Sequence, residues 1–458
     1  VPLRLLLVRH GLSSFNTEHR VQGRDDLSTL TSEGVRQATA TGEALRGLDI
    51  AAAYTSPLSR ASATAAALLE AHGGGQRAEA DSGLLEVDLG PWSGLLSREI
   101  RDRFPADYAL WRQAPHTLEL TRHGQPYRPV PELRHQAADF LERLLERHLP
   151  VTDPAAETSS ADGPVSVLVV AHNAILRCLL LAALGLPASD FQRLRVDNAS
   201  LSVLNLRRRP DHTVEVQIES LNGTAHLGVP VPPKGEGPRL LLVRHGETDW
   251  NRQGRFQGQI DIPLNGHGQE QAAAAGRFLA ELPIQRAYSS AMARPRQTAE
   301  AILALHPGVP LTSLQGLVEI GHGQWEGRLE AEIEAGWPQL LADWKRAPHT
   351  VQMPDGENLQ QVWDRSLDTW ERIARSLADD ETALVVAHDA VNKTLLCALL
   401  GLSPADIWMV KQGNGGVTVI DYPARQASGP VSAWPVVSSL NLTSHLGGVI
   451  DRTAAGAL

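Results

Sequence analysis

The heptapeptide LLLVRHG at residues 5–11 returns letter for letter at residues 240–246 of this 458-residue chain. That repeat constrains the fold more than any other feature, because the two halves match well beyond it and in the same order. His10 matches His245 at an offset of 235. TSPLSRASATA around Arg60 matches SSAMARPRQTA around Arg294 at 234, and LLEVDLGPWSG around Glu86 matches LVEIGHGQWEG around Glu319 at 233. VVAHNA at His172 matches VVAHDA at His388 and DNASLSVL matches GNGGVTVI, both at 216. Solenoid units repeat every 20–50 residues or so, and a period this long is that of a duplicated domain.

The Pro- and Gly-rich segment VPVPPKGEGP at residues 229–238 reads as a linker. The expected organisation is a domain over 1–229, a linker over 230–238, a second domain over 239–447 and a tail over 448–458. Between the Glu and the second His the offset falls from 233 to 216, so the first copy carries extra residues there. They are placed in TRHGQPYRPVPEL and in VTDPAAETSSADGP, whose small, polar composition predicts a mobile surface loop.

Within each copy, LRLLLV or RLLLV, and later SVLVVA or ALVVA, are continuous apolar runs expected of strands buried on both faces of a parallel sheet. Helical patterns lie between them, which predicts an α/β sandwich. SPLSRASATAAALLEAH is expected to open a helix with Ser56 as N-cap and Pro57 as its first residue.

In such a sheet, ligands bind beyond the carboxyl ends of the strands. Arg9-His10-Gly11 and His172 each follow an apolar strand directly, and Arg60 falls in the first turn of a helix at the same rim. Arg244, His245, Gly246, Arg294 and His388 repeat the set. Two guanidinium forks and two imidazoles around one point make a pocket for a tetrahedral dianion such as a phosphoryl group. A neutral imidazole inside that pocket can attack phosphorus and form a phosphohistidine. The leaving oxygen then needs a proton, and Glu86 and Glu319 are the candidate donors. Gly11 and Gly246 would let backbone approach the phosphate, and Asn16 and Asn251 could donate amide hydrogen bonds to it.

Composition excludes other classes. A net charge of −10 and a pI near 5.9 argue against a nucleic-acid or anionic-membrane surface, which needs a basic field. No apolar run reaches the ~18–20 residues of a membrane helix, and the opening VPLRLLLVRHG lacks the pattern of a cleavable signal. Cys178 and Cys397 sit in leucine-rich helical stretches and are expected to be buried thiols. A cytoplasmic protein acting on a small phosphorylated molecule is expected, and the sequence leaves homo-oligomerisation open.

LVRHGETDWN, SSAMARPRQTA, LVEIGHGQWEG and VVAHDAVNKTLL resemble the motifs of the histidine phosphatase superfamily, the phosphoglycerate mutase-like proteins, and the resemblance spans nearly all of both halves. It implies two tandem three-layer α/β/α sandwich domains and catalysis with no metal or other cofactor. It also implies His10 and His245 as nucleophiles, Glu86 and Glu319 as proton donors, and Arg9, Arg60, His172, Arg244, Arg294 and His388 as phosphate ligands. The first copy departs from the pattern at Leu12, which stands opposite Glu247.

The function expected is phosphomonoester hydrolysis of small metabolites such as sugar phosphates or phosphorylated sugar acids. Cofactor-dependent mutases of the superfamily carry a longer basic insertion, absent here in recognisable form, although Arg122 and Arg128 could still meet a substrate carboxylate. A mutase is therefore the second alternative. The third is a chain in which one half turns over and the other serves as a phosphate-binding or dimerisation module.

Overall fold

The computed structural model describes residues 2–149, 163–209, 211–425 and 434–453. Contacts divide the chain into two units, Val1–Val229 and Pro230–Leu458. Most of the VTDPAAETSSADGP segment lies outside the described residues, as does the end of the tail.

The first unit is a mixed α/β sheet. Its strands are β1 (Leu3–Arg9), β2 (Ile50–Thr55), β3 (Glu79–Ala80), β4 (Leu120–Arg122), β5 (Gln125–Tyr127), β6 (Val165–Ala171), β7 (Leu201–Arg208) and β8 (Val214–Gly223), of which β4 and β5 form a separate antiparallel pair outside the main sheet. The apolar runs form the centre: β1 pairs in parallel with β6, Leu3 opposite Val165 through Arg9 opposite Ala171. β6 pairs in parallel with β2, and β2 with β3. On the other side of β1 the sheet turns antiparallel through β7 and then β8. The parallel reading therefore holds for one side of β1 only. Its other side is closed by a hairpin, which needs no crossover helix.

The second unit repeats this plan with β9 (Arg239–Arg244), β10 (Arg286–Ser290), β11 (Leu311–Leu314), β12 (Thr382–Ala387), β13 (Val417–Asp421) and β14 (Val436–Leu442). β9 lies between parallel β12 and antiparallel β13. Every residue of β9 and of β12 is buried, as expected of strands covered on both faces. Cys178 and Cys397 are buried free thiols.

Helices cover the sheets. Ser32–Ala44 is capped by the Thr31 side chain and Gly266–Leu279 by the Asn265 side chain. The helix after β2 starts later than its sequence suggests, at Ser59 with Leu58 as N-cap. Ser56 lies before it, with its hydroxyl accepting from Leu58 N at 3.3 Å and sharing a hydrogen bond with His172 Nε2 at 2.7 Å. Gly11 is required by packing: a Cβ there would lie 2.4 Å from the Gly34 carbonyl oxygen, and one on Gly246 would lie 2.3 Å from that of Gly268. The loop after β1, like that after β9, thus rests directly on the first turn of a helix.

Candidate functional site

Each site is assembled where β1 and β6, or β9 and β12, end side by side. The His10 and His172 rings meet edge to face with centroids 5.2 Å apart, and His245 and His388 do the same at 5.2 Å. All four are buried. His10 Nδ1 lies 2.8 Å from the Gly11 carbonyl oxygen and His245 Nδ1 lies 2.7 Å from that of Gly246. A carbonyl only accepts, so Nδ1 carries the proton and Nε2 keeps its lone pair. Burial, then the neighbouring Arg9 and Arg60, hold His10 well below the usual histidine range. Burial, then Arg294 and Arg244, do the same for His245. The neutral imidazole is thereby favoured at both positions, the form that can act as a nucleophile.

His172 and His388 are the N-cap residues of the helices Asn173–Ala183 and Asp389–Leu400. Each shares a hydrogen bond through Nε2 with a serine hydroxyl, Ser56 at 2.7 Å and Ser290 at 2.8 Å. Burial lowers both strongly, with the partner histidine and the arginines adding to it.

The arginines are held by backbone carbonyls, which fix the forks, and Arg244 also lies 3.7 Å from the Asp389 carboxylate. Arg60 donates to Asp25 O and Gly23 O, both at 2.8 Å, and Arg294 to Ile260 O and Gly258 O at 3.1 and 2.9 Å. Arg9 donates to Val196 O at 2.9 Å, and Arg244 to Gln412 O. The Nε atoms of Arg9, Arg60 and Arg244 are buried with no hydrogen-bond partner among the described residues. Buried cationic donors of this kind are what an anion satisfies. Thr64 ties the parts together, accepting from Gly11 N at 3.0 Å and donating to Arg60 O at 2.7 Å. Thr298 repeats the tie at 3.0 and 2.9 Å.

Glu86 accepts from Val87 N at 2.9 Å and from Ala174 N and Ile175 N at 3.2 and 3.1 Å, so its carboxyl sits on the N-terminus of the helix that His172 caps. Glu319 accepts from Ile320 N at 3.0 Å and Ala390 N at 3.3 Å. Its pKa is raised, first by burial and then by the Asp389 carboxylate. That suits a proton donor.

Asn16 and Asn251 stand at the rim with their Oδ1 atoms engaged. Asn16 Oδ1 accepts from Ser13 N and Oγ and from Asn198 Nδ2, at 3.2, 2.8 and 3.1 Å. Asn251 Oδ1 accepts from Thr248 N at 3.1 Å and Asn414 Nδ2 at 3.4 Å. This turns each amide NH2 to the other side, and Asn251 lines the pocket with Arg244, His245, Arg294 and Glu319. Gly11 N and Gly246 N are taken by the two threonines. The Leu12 departure does not reach the pocket, because Glu247 faces Arg252 and Asn265, both at 2.9 Å. Arg122 is engaged by Asp88 and Glu132, each at 2.9 Å, and Arg128 lies 3.8 Å from Glu119.

Sequence reading missed Ser56, Ser290, Thr64 and Thr298 as supports. Their identity in the two aligned segments was the available signal. It also missed two residues found in the second pocket alone, His322 and Asp389. The aligned motifs place Leu89 and Asn173 opposite them. His322 is fully buried, and neither ring nitrogen has a hydrogen-bond partner among the described residues.

A sheet with imidazole-bearing strand ends, buried arginines and a glutamate carboxyl at each site defines a phosphoryl-transfer class. The chain belongs to the histidine phosphatase superfamily (branch 1), whose family model matches residues 5–218 and 240–429. It is a phosphatase by that membership, built as two α/β units of the phosphoglycerate mutase-like type.

Among its relatives, the chain is 27% identical over 467 residues to 2-carboxy-D-arabinitol-1-phosphatase of Triticum aestivum, covering 97% of this chain and 86% of that protein. It is 32% identical over 209 residues to phosphoserine phosphatase 1 of Hydrogenobacter thermophilus, covering 46% of this chain and 94% of that protein. It is 35% identical over 190 residues to glucosyl-3-phosphoglycerate phosphatase of Mycolicibacterium vanbaalenii, covering 39% and 81%. A solved structure of Bacillus stearothermophilus YhfR aligns at 31% identity with a TM-score of 0.40, over 42% of this chain and 96% of that one.

Proposed function

We propose that both halves hydrolyse phosphomonoesters through a phosphohistidine. The observation that carries this reading is the Nδ1 contact of each first histidine with the next residue's carbonyl, which aims an unprotonated Nε2 into a cationic pocket. His10 or His245 Nε2 attacks phosphorus, and the P–O ester bond breaks as the Glu86 or Glu319 carboxyl gives its proton to the leaving oxygen. Water then attacks the phosphohistidine. The same carboxylate takes the water's proton, the P–N bond breaks, and phosphate leaves with the imidazole neutral again. Arg9, Arg60 and His172, or Arg244, Arg294 and His388, hold the phosphoryl oxygens while charge shifts between them, and the amides of Asn16 and Asn251 reach the same oxygens.

The substrates are small phosphorylated metabolites, sugar phosphates or phosphorylated sugar acids. 2-Carboxy-D-arabinitol 1-phosphate is the first to try, because the wheat relative named for it aligns along nearly the whole chain. No helix among the described residues is long and apolar enough to cross a membrane. A cytoplasmic location suits substrates of this kind and the two free thiols.

The test is phosphate release from a panel of sugar phosphates and phosphorylated acids, including 3-phosphoglycerate, by the parent chain, His10→Ala and His245→Ala. Loss of different substrates by the two variants supports two working sites. A variant that matches the parent on every substrate removes its half from catalysis.

A further inference from the structure

Three carbonyls in the loop leading to each candidate proton-donor glutamate, its own among them, are held by an Arg–Gln pair, and the two halves build that pair the opposite way round. In the first half Arg24, on the loop after Gly23, donates from Nε to Glu86 O at 2.9 Å and from Nη2 to Gln136 Oε1 at 2.8 Å. Gln136, on the helix Pro129–His148, donates from Nε2 to Gly83 O at 3.0 Å and Leu85 O at 2.9 Å. In the second half the loop position is Gln259, whose Nε2 donates to Glu319 O at 3.1 Å. The helix position, on Leu359–Ser376, is Arg365. Its Nη2 donates to Glu319 O at 3.0 Å, and its Nη1 to Gly316 O at 3.1 Å and to Val318 O. Residues 83, 85 and 86 correspond to 316, 318 and 319 in the repeat. The same three carbonyls are therefore held in both halves, with the guanidinium and the amide exchanged.

We propose that Arg24–Gln136 and Gln259–Arg365 are interchangeable positioning pairs that set the glutamate for proton transfer to the leaving oxygen. This rests on the phosphatase reading above. The loop bearing residue 24 or 259 is the one whose flanking carbonyls hold the phosphate arginine, Gly23 O and Asp25 O for Arg60, and Gly258 O and Ile260 O for Arg294. One short segment thus fixes the phosphate-binding fork through its backbone and the proton donor through its side chain. The distance between the phosphorus and the donated proton is set by that segment. A buried carbonyl needs its donor whichever side supplies it. A duplicated site can therefore exchange the two residues together, whereas changing one alone leaves two amides or two guanidinium groups in a space built for one of each. The second half adds Glu357, which accepts from Arg365 Nε and Nη2 at 2.8 Å each. In the first half Gln136 Oε1 takes the acceptor's place.

A positioning role for the proton donor has a signature that a merely structural one lacks. Nitrophenolate departs without protonation and an alkoxide does not, so a displaced donor slows alkyl phosphates and spares aryl phosphates. The experiment uses the full chain with His245→Ala, so that turnover reports the first site, and compares p-nitrophenyl phosphate with 3-phosphoglycerate. Because the same carboxylate also serves the phosphohistidine hydrolysis shared by both substrates, the readout is kcat/KM, which reports steps up to ester cleavage. Arg24→Gln is expected to lower kcat/KM on 3-phosphoglycerate by roughly 10–100-fold while kcat/KM on p-nitrophenyl phosphate changes less than about 3-fold. Adding Gln136→Arg to it is expected to restore kcat/KM on 3-phosphoglycerate to within about 3-fold of the starting chain. An equal fall on both substrates, or a double variant no better than Arg24→Gln at an unchanged Tm, overturns the proposal. If the His245→Ala chain releases phosphate from neither substrate, the catalytic reading of the first half fails and takes this inference with it. If the double variant itself unfolds, the two arrangements are not interchangeable and the proposal falls.

Discussion

Arg294 Nε lies 3.3 Å from His245 Nε2, with the two terminal nitrogens of the same guanidinium anchored on Gly258 O and Ile260 O. An N–H can face that ring nitrogen only while it holds a lone pair. The contact therefore assigns the same tautomer as the Nδ1 bond to Gly246 O.

Arg294→Met in a His10→Ala chain removes a fork that is placed before substrate arrives. We expect kcat/KM of the second site to fall by about 10²–10³-fold, the scale of losing a preorganised oxyanion donor. Orthovanadate binding should weaken in parallel. Unchanged vanadate affinity at a normal Tm would place Arg294 outside the phosphate site.

Asp389 stands beside Glu319, where the first half has Asn173. Its carboxylate raises the Glu319 pKa after burial does. A general acid works only while protonated, so second-site activity falls as pH rises through that pKa. Asp389→Asn removes the negative neighbour and lowers the pKa, which should move the alkaline limb of kcat for an alkyl phosphate to lower pH in a His10→Ala chain. A limb that stays in place means that another group sets it.

Thr298 accepts from the buried Gly246 N–H at 3.0 Å, and Thr64 does so for Gly11. Valine keeps the shape and removes the acceptor, leaving one buried donor unpaired at a cost of about 1–3 kcal/mol. Tm of the second unit in Thr298→Val should drop by about 2–4 °C per kcal/mol. A drop below 1 °C or so would show that the amide finds another partner.

The repeat, the buried central strands and the residues at their ends were legible in the sequence, because strand burial writes a continuous apolar run and the chemistry sits where each run stops. His10, Arg60 and His172 were found that way. The Ser56 hydroxyl was not. Its partner is 116 residues away, and Ser-Pro reads locally as a helix start. The Arg24–Gln136 exchange was hidden for the same reason, since neither position matches its counterpart and only the shared carbonyls reveal the pairing. The antiparallel side of β1 was not read, although β7 mixes Ser202, Asn205, Arg207 and Arg208 with its apolar residues, as a strand outside the parallel core does.

His322 stands in the second half where the first has Leu89. It is packed against Phe256 and Trp344, with ring centroids 5.1 and 6.0 Å away, and burial lowers its pKa to about 3. The unfolded chain binds a proton at this residue below about pH 6.5, whereas the folded chain does so only near pH 3. Stability from this source is therefore complete above pH 6.5 and declines as pH falls. His322→Leu, which installs the residue found at Leu89, removes the decline without leaving an unpaired group. Relative to the parent, the variant should gain about 1.4 kcal/mol on going from pH 7.5 to 5.5, or roughly 3–6 °C in the Tm of the second unit. The other buried histidines titrate in both chains and cancel in the difference. A Tm gap that is constant across that range would mean that the folded protein protonates His322 as readily as the unfolded chain does.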